Sequence, residues 1–226
     1  MVIGPPLPIQ WVPPKPALNV NVEPPKSSNV ETVRHIINLA LGDGMEIVAL
    51  STLLQSGNEG DVNKRLSDAG AGQAAIVVRN SLFARLILLV TREFAKNSRD
   101  GDLHLGRAFE LLEGDTLRIL QDIGSSTKVI TATNQWNKLR GDQRLNSLMH
   151  FRDKNTAHLG VSNPNIPPAI NKDLIALGEE LVDVIDNLAE GIGLTKIKIR
   201  DNVNAGPTVE AFWRPWKSSA TANSAT

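Results

Sequence analysis

The sequence predicts an all-α fold: an antiparallel helical bundle with a proline-rich N-terminal tail and a short strand-like or irregular C-terminal extension. Three observations lead there. Apolar residues recur at three- and four-residue spacing along most of the chain, the period of a helix face. Clusters of turn formers, such as Asn97-Ser98-Arg99-Asp100-Gly101-Asp102, separate those stretches. Proline is concentrated in residues 1–28 and in a loop at Pro164, Pro167 and Pro168, so most of the periodic stretches are free of it.

Composition narrows the possibilities. The 226 residues, less their polar ends, suit one domain with a buried core. Apolar residues make up 41% and charged residues 21%, as in an ordinary globular protein. Aromatics are only 4% and tyrosine is absent, so Leu, Ile, Val and Ala must do most of the packing. Lys plus Arg equals Asp plus Glu at 24 each, and no whole-chain field draws the protein to nucleic acid or anionic lipid. A polyanion site must therefore be a local concentration of cations. The absence of cysteine excludes disulfides, thiolate zinc sites and a cysteine nucleophile, and it fits the reducing cytoplasm expected as the location. Met1-Val2-Ile3-Gly4-Pro5-Pro6 has neither a basic nor an apolar signal-peptide region. The most apolar run, Ile76 to Val90, carries Arg79 and Arg85 and falls short of about twenty apolar residues; it reads as a core helix, and no membrane partner is expected.

Residues 1–28 form the first unit. Pro5, Pro6, Pro8, Pro13, Pro14, Pro16, Pro24 and Pro25 favour extended polyproline backbone, either a strap on the domain or a docking segment for a proline-reading partner. Residues 29–193 are the helical domain. A helix opens after Ser28-Asn29 with Val33, Ile36, Ile37, Ala40 and Leu41; Gly42 and Gly44 weaken it, and a second stretch runs from Met45 to Leu54. One long helix is expected from Val62 to Lys96, a short one around Leu103 to Leu112, and another over Thr116 to Asp122. Ser125 or Ser126 caps a helix with Val129, Ala132, Trp136 and Leu139 inside. Arg140-Gly141-Asp142 breaks it, and Asp142 caps a continuation to about His158, with Gly160 beyond. The last helix, about Asn171 to Ala189, carries Leu174, Leu177, Leu181, Val184, Ile185 and Leu188. Residues 194–226 are a polar, partly disordered extension in which Lys196-Ile197-Lys198-Ile199-Arg200 alternates like a strand; Trp213 and Trp216 either pin it to the domain or anchor a partner.

Little in the chain looks chemical. His35 and His104 have no nucleophile or carboxylate at a useful spacing, and there is no metal motif, phosphate loop or Gly-x-Ser-x-Gly turn. The exception is Phe151-Arg152-Asp153-Lys154-Asn155-Thr156-Ala157-His158. It puts a permanent cation, a carboxylate and an imidazole near a helix C-terminus, where the macrodipole favours protonated histidine. Arginine grips phosphate through two parallel hydrogen bonds, and protonated histidine is a general acid. These are the parts of a ribonuclease that needs no metal or other cofactor. From Lys138 to His158 five Lys/Arg face two acids, with Arg140 and Arg144 beside the motif; from Asn171 to Glu190 one Lys faces six acids. That is either an RNA-backbone footprint or two helix faces attracting each other. Likewise Arg152 and Asp153 could be a surface ion pair and His158 a helix-end cap. Six helical steps turn about 600°, leaving His158 about 120° around the axis from Arg152. Either the helix end distorts or a twofold dimer composes the site from two copies.

The run Arg152-Asp153-Lys154-x-x-Ala157-His158, with Phe151 just before it, resembles the motif of the HEPN superfamily, an Arg followed by a His after a gap of four to six residues. It is similar in particular to the AbiU-type, abortive-infection branch. The helix Arg79-Asn80-Ser81-Leu82-Phe83-Ala84-Arg85-Leu86 and the Leu103-x-x-Gly106-Arg107 segment are similar too, and the likeness spans about Glu31 to Glu190. The resemblance implies a HEPN-like, usually dimeric bundle and, in many members, RNase activity in toxin–antitoxin or abortive-infection systems. Arg152 and His158 then match the motif pair, Asp153 the polar residue after the Arg, and Lys154 the AbiU-type lysine. RNA is the expected substrate, with Lys154, Asn155, Arg144 and Arg140 as binding candidates and no metal. An antitoxin or a nucleotidyltransferase is a possible partner. A noncatalytic HEPN-like interaction or RNA-binding module is the alternative.

Overall fold

The computed structural model describes residues 29–95, 101–112, 117, 124–157 and 165–217, with the backbone alone for 155–157. The described residues contain nine α-helices, one π-helical segment and no strand. In order these are α1 (Asn29–Gly57), α2 (Gly60–Asp68), α3 (Gly72–Glu93), α4 (Leu105–Leu111), α5 (Ser126–Arg140), α6 (Gln143–Phe151), the π segment (Arg152–Ala157), α7 (Asn171–Gly191), α8 (Ile199–Asn202) and α9 (Ala205–Trp213). The tail 1–28, the turn at Asn97 to Asp100, nearly all of the Thr116–Asp122 helix, His158, Gly160 and Pro164 lie outside the described residues, as does the end from 218.

The bundle is built around α7. Leu174, Leu177, Leu181, Val182, Val184, Ile185 and Leu188 are all buried, facing α1 and α3 on one side and α5 and α6 on the other. By length and composition α1 and α3 could each cross a bilayer; here they pack on one another and on α7. Trp136 of α5 lies between Phe94 and Phe109, with ring centroids at 4.5 and 4.9 Å. These three rings concentrate the scarce aromatics in one stack that ties α5 to the end of α3 and to α4.

Three expectations need correction. First, Gly42 and Gly44 do not interrupt α1, which runs unbroken for 29 residues. Val33, Ile36, Ile37 and Ala40 before the glycines, and Ile47, Leu50 and Leu54 after them, lie in one buried stripe, and its packing outweighs the glycines' propensity cost of about 1 kcal/mol each. Gly44 also leaves a notch that Ile199 occupies: a Cβ there would stand 2.5 Å from Ile199 Cδ1. Second, the single helix expected from Val62 to Lys96 is two. Gly70, at φ 71°, turns the chain between α2 and α3, and the Ala71 N–H closes α2 on the Leu66 carbonyl at 2.8 Å. The break lets Val62 and Leu66 turn toward Ala75, Val209 and Trp213 in a small second core. Third, Lys196 to Arg200 is not a strand. Ile199 fills the notch at Gly44 and begins the short α8, and its N–H donates to Asp186 Oδ1 at 2.9 Å. Ile197 faces solvent, so the alternation records one buried and one exposed isoleucine without any strand pairing.

The C-terminal tryptophans follow the pinning alternative. Trp213 is buried against Gly57, and its Nε1–H donates to the Leu53 carbonyl at 3.2 Å. Trp216 packs half-buried on the same small core. At the opposite end of the bundle the start of α5 and the end of α7 touch backbone to backbone: Ser125 N–H donates to the Gly191 carbonyl at 2.9 Å. A Cβ on Gly191 would lie 2.8 Å from the Val129 nitrogen, where nothing can give way.

These contacts set a contrast between glycines. Gly42→Ala, in an exposed helix interior with nothing within 4 Å, is expected to raise unfolding free energy by about 0.5–1 kcal/mol. Gly191→Ala is expected to lower it by about 2 kcal/mol. Urea denaturation of the two variants beside the parent measures both signs.

Candidate functional site

The site is reached along α5 and α6. α5 ends at Gly141, and Asp142 caps α6 by accepting from the Arg144 N–H at 2.8 Å. The Arg144 guanidinium folds back on the same carboxylate at 2.6 Å and reaches Glu180 of α7 at 2.7 Å. Lys138 also meets Glu180, and Lys128 meets Glu190. Two of the strip's five cations, Lys138 and Arg144, thus meet the acidic helix, both at Glu180. Arg144 is a clamp between α6 and α7, engaged on both sides.

α6 then carries Phe151 to an edge-on contact with Phe83 of α3, centroids 5.5 Å apart. With the ring anchored, the winding changes. From Arg152 to Ala157 the chain is a π-helix, so hydrogen bonds run from residue i to i+5. Asn155 and Thr156 are weak α-formers, consistent with the loss of α winding. Distortion at the motif was one of the two ways out of the angular mismatch between Arg152 and His158. The backbone does change winding from Arg152 on, while His158 lies outside the described residues.

Arg152 stands between two clefts. The first, about 770 Å³, is lined in part by Gln143, Asn146, His150, Arg152, Asp153 and Asn165. The Arg152 Nε donates to Asp153 Oδ1 at 2.8 Å, with Nη2 at 2.6 Å from the same oxygen. The surface ion pair that the sequence allowed is thus formed, with the Arg152 side chain still 27% exposed. The second cleft, about 480 Å³, has Arg85, Leu88, Arg92, Leu103, His104 and Arg152 on its walls. Lys154 is half-buried in the π segment, and Asn155 is described there by its backbone. Arg140 opens on a third cleft, beside Trp136 and Phe109. Of the sequence-derived site residues, Arg152 and Asp153 share one cleft; Arg144 and Arg140 are placed elsewhere. Among the described residues, no three His, Asp or Glu side chains gather where they could hold a metal ion.

The family model for HEPN AbiU2 matches residues 31–198. The chain belongs to the AbiU2 family of HEPN domains. The matched span covers α1 to α7 and the motif segment, and it ends just before α8, so the helices that carry Trp213 are outside it. Membership places the AbiU2 domain in an abortive-infection setting. No curated protein and no solved structure matches the chain.

Sequence reasoning passed over His150 and Asn146. Their signal was there: Gln143, Asn146 and His150 recur at three and four residues on α6 while Leu145 and Leu148 are buried, so they form the helix's polar stripe and line the first cleft. It also passed over Arg85, Arg92 and His104, which reach the second cleft from other helices; no local spacing announces them.

The Arg144 clamp has a pH signature. Its side-chain hydrogen bonds hold the Asp142 carboxyl below the usual carboxylate range. A depressed carboxyl stabilises the fold above its unfolded pKa, near 3.9, and loses that contribution as pH falls through the lowered value. Arg144→Met is therefore expected to cost roughly 1 kcal/mol at neutral pH. The gap in melting temperature to the parent should close in acid, below about pH 4, as thermal melts across pH would show.

Proposed function

We propose that this AbiU2 domain is a metal-independent endoribonuclease of toxin–antitoxin or abortive-infection type, working at a cleft completed by a second copy. The observation that carries the reading is the change from α to π winding at Arg152, which opens on a cleft with a polar stripe behind it. π-helical turns are rare and frequently mark functional sites.

In this reaction a ribose 2′-oxygen attacks the adjacent phosphorus and the 5′-oxygen leaves with a proton, giving a 2′,3′-cyclic phosphate, which attack by water on phosphorus can open to a 3′-phosphate and a free 2′-hydroxyl. Arg152 neutralises the crowded phosphorane through paired N–H donors. His158 moves the proton, as base to the 2′-hydroxyl or as acid to the departing oxygen. Asp153 orients Arg152, and Lys154 and Asn155 hold neighbouring groups of the strand. His150 faces the same cleft and is a second proton carrier to compare. Arg144 is left to position α6.

Support for a second copy comes from α3. It exposes Ile76, Val77 and Val78 together and, about three turns on, Leu88, more bare apolar surface than a single scattered side chain. Leu88 also lines the second cleft, so a partner seated on α3 would lie near Arg152.

The ion pair between Arg152 and Asp153 favours the alternative, a noncatalytic interaction or RNA-binding module, because it gives Arg152 a partner without any substrate. Cleavage separates the two. With purified protein, single-stranded RNA and excess chelator, the reading expects cutting that falls by about 10²–10⁴-fold in Arg152→Ala and His158→Ala. His150→Ala is expected to lose less. Equal cutting by parent and variants would remove the assignment, and binding without turnover would establish the module.

A further inference from the structure

The second cleft holds a feature that the cleavage reading does not use. His104 is buried, at 4% exposure, in the position before α4. Its Nδ1 accepts from the Arg107 N–H at 3.3 Å, which leaves the ring proton on Nε2. That Nε2–H is buried and has no hydrogen-bond partner among the described residues. A buried donor left without an acceptor is costly, so the site is set to gain from an acceptor that comes with a ligand. The ring is on the wall of the cleft that Arg152 shares.

We propose that this cleft is a nucleobase subsite, in which His104 Nε2–H donates to a base carbonyl beside the linkage held at Arg152. The proposal rests on the nuclease reading for the identity of the strand. Three properties favour a base over a second phosphate. Leu88 and Leu103 supply apolar walls that suit the faces of a ring. The cleft's guanidiniums other than Arg152 are already matched: Arg85 by Glu46 at 2.7 Å, and Arg92 by Asp43 and Glu93. Asp102 adds a further carboxylate to the wall. A flat uncharged acceptor meets no repulsion there, whereas a phosphate would. Because Nε2 is shut off from solvent, the acceptor reaches it by displacing a wall side chain.

The chemistry gives a selective prediction. Guanine, hypoxanthine, uracil and cytosine offer a carbonyl; adenine does not. The test uses the full chain and two labelled strands of about ten nucleotides, one all adenosine and one with a single central inosine, which has the same ring size. Binding is read by fluorescence anisotropy and cutting by gel. The inosine strand should bind the parent about tenfold more tightly, the factor for one well-placed hydrogen bond. His104→Asn keeps an acceptor for the Arg107 N–H, since asparagine is a favoured cap, and its shorter amide ends short of the position that Nε2 occupies. It should bring the two affinities within about twofold, and a cooperative thermal melt shows that the variant is folded. Equal binding of both strands by the parent overturns the subsite, and that comparison needs no variant to fold. So does an inosine preference that survives in His104→Asn. If both strands are cut without preference, the subsite fails while the nuclease reading stands. If the inosine preference appears in binding and neither strand is cut, the subsite stands and the nuclease reading fails.

Discussion

Burial of the apolar stripe of α7 is the interaction on which the remainder of the structure depends. Leu174, Leu177, Leu181, Val184, Ile185 and Leu188 are each at most 1% exposed, and four other helices pack on this one. Each such side chain contributes about 1.5–3 kcal/mol when removed from water. The close approaches follow from the same packing. Gly178 lets Ile47 of α1 lie against α7, and Gly191 lets the start of α5 touch its end. A central helix gripped from both sides fixes where α1, α3, α5 and α6 can stand, and so fixes the wall on which the motif sits.

The polar side of α7 then orients the motif helix. Glu180 takes Arg144, and Arg144 holds Asp142, the residue that starts α6. At the other end of α6, Phe151 rests on Phe83. The helix is thus held at its first turn by charge and at its last by an aromatic contact. Only after the second anchor does the backbone give up α winding. Part of a charge pattern that resembles a nucleic-acid footprint, Lys138 and Arg144, is thus mortar of the bundle. Arg152 is set apart because the acid it meets is its own neighbour, on the rim of a cleft.

Much of this was legible in the chain. The apolar period of α7, the break at Arg140-Gly141-Asp142, the cap at Asp142 and the motif from Arg152 are all local patterns, and local patterns survive without knowledge of neighbours. What failed depended on partners far along the chain. Gly44 reads as a helix breaker until Ile199 fills its place. Ile197 and Ile199 read as a strand until only one of them finds a core. Ala69-Gly70-Ala71 reads as helix because alanine favours it, and the positive φ of Gly70 is invisible beforehand. Half of the candidate site follows the same rule. Arg152 and Asp153 were readable from the motif, whereas His104, Arg85 and Arg92 share a cleft with Arg152 only through tertiary packing, that of α3 on the motif helix among it.

The central claim is that Arg152 and His158 meet on one ribose–phosphate linkage, with each copy of the chain supplying part of the set. Mixing subunits tests it most directly. Arg152→Ala and His158→Ala proteins, each inactive, are unfolded together, refolded and assayed on single-stranded RNA with chelator. If the pair is completed across two copies, mixed dimers contain one intact site and cutting returns to a substantial fraction of the parent rate. If the mixture stays as inactive as its two components while mixed dimers are shown to form, the two groups do not meet across copies, and the account of a shared cleft is contradicted.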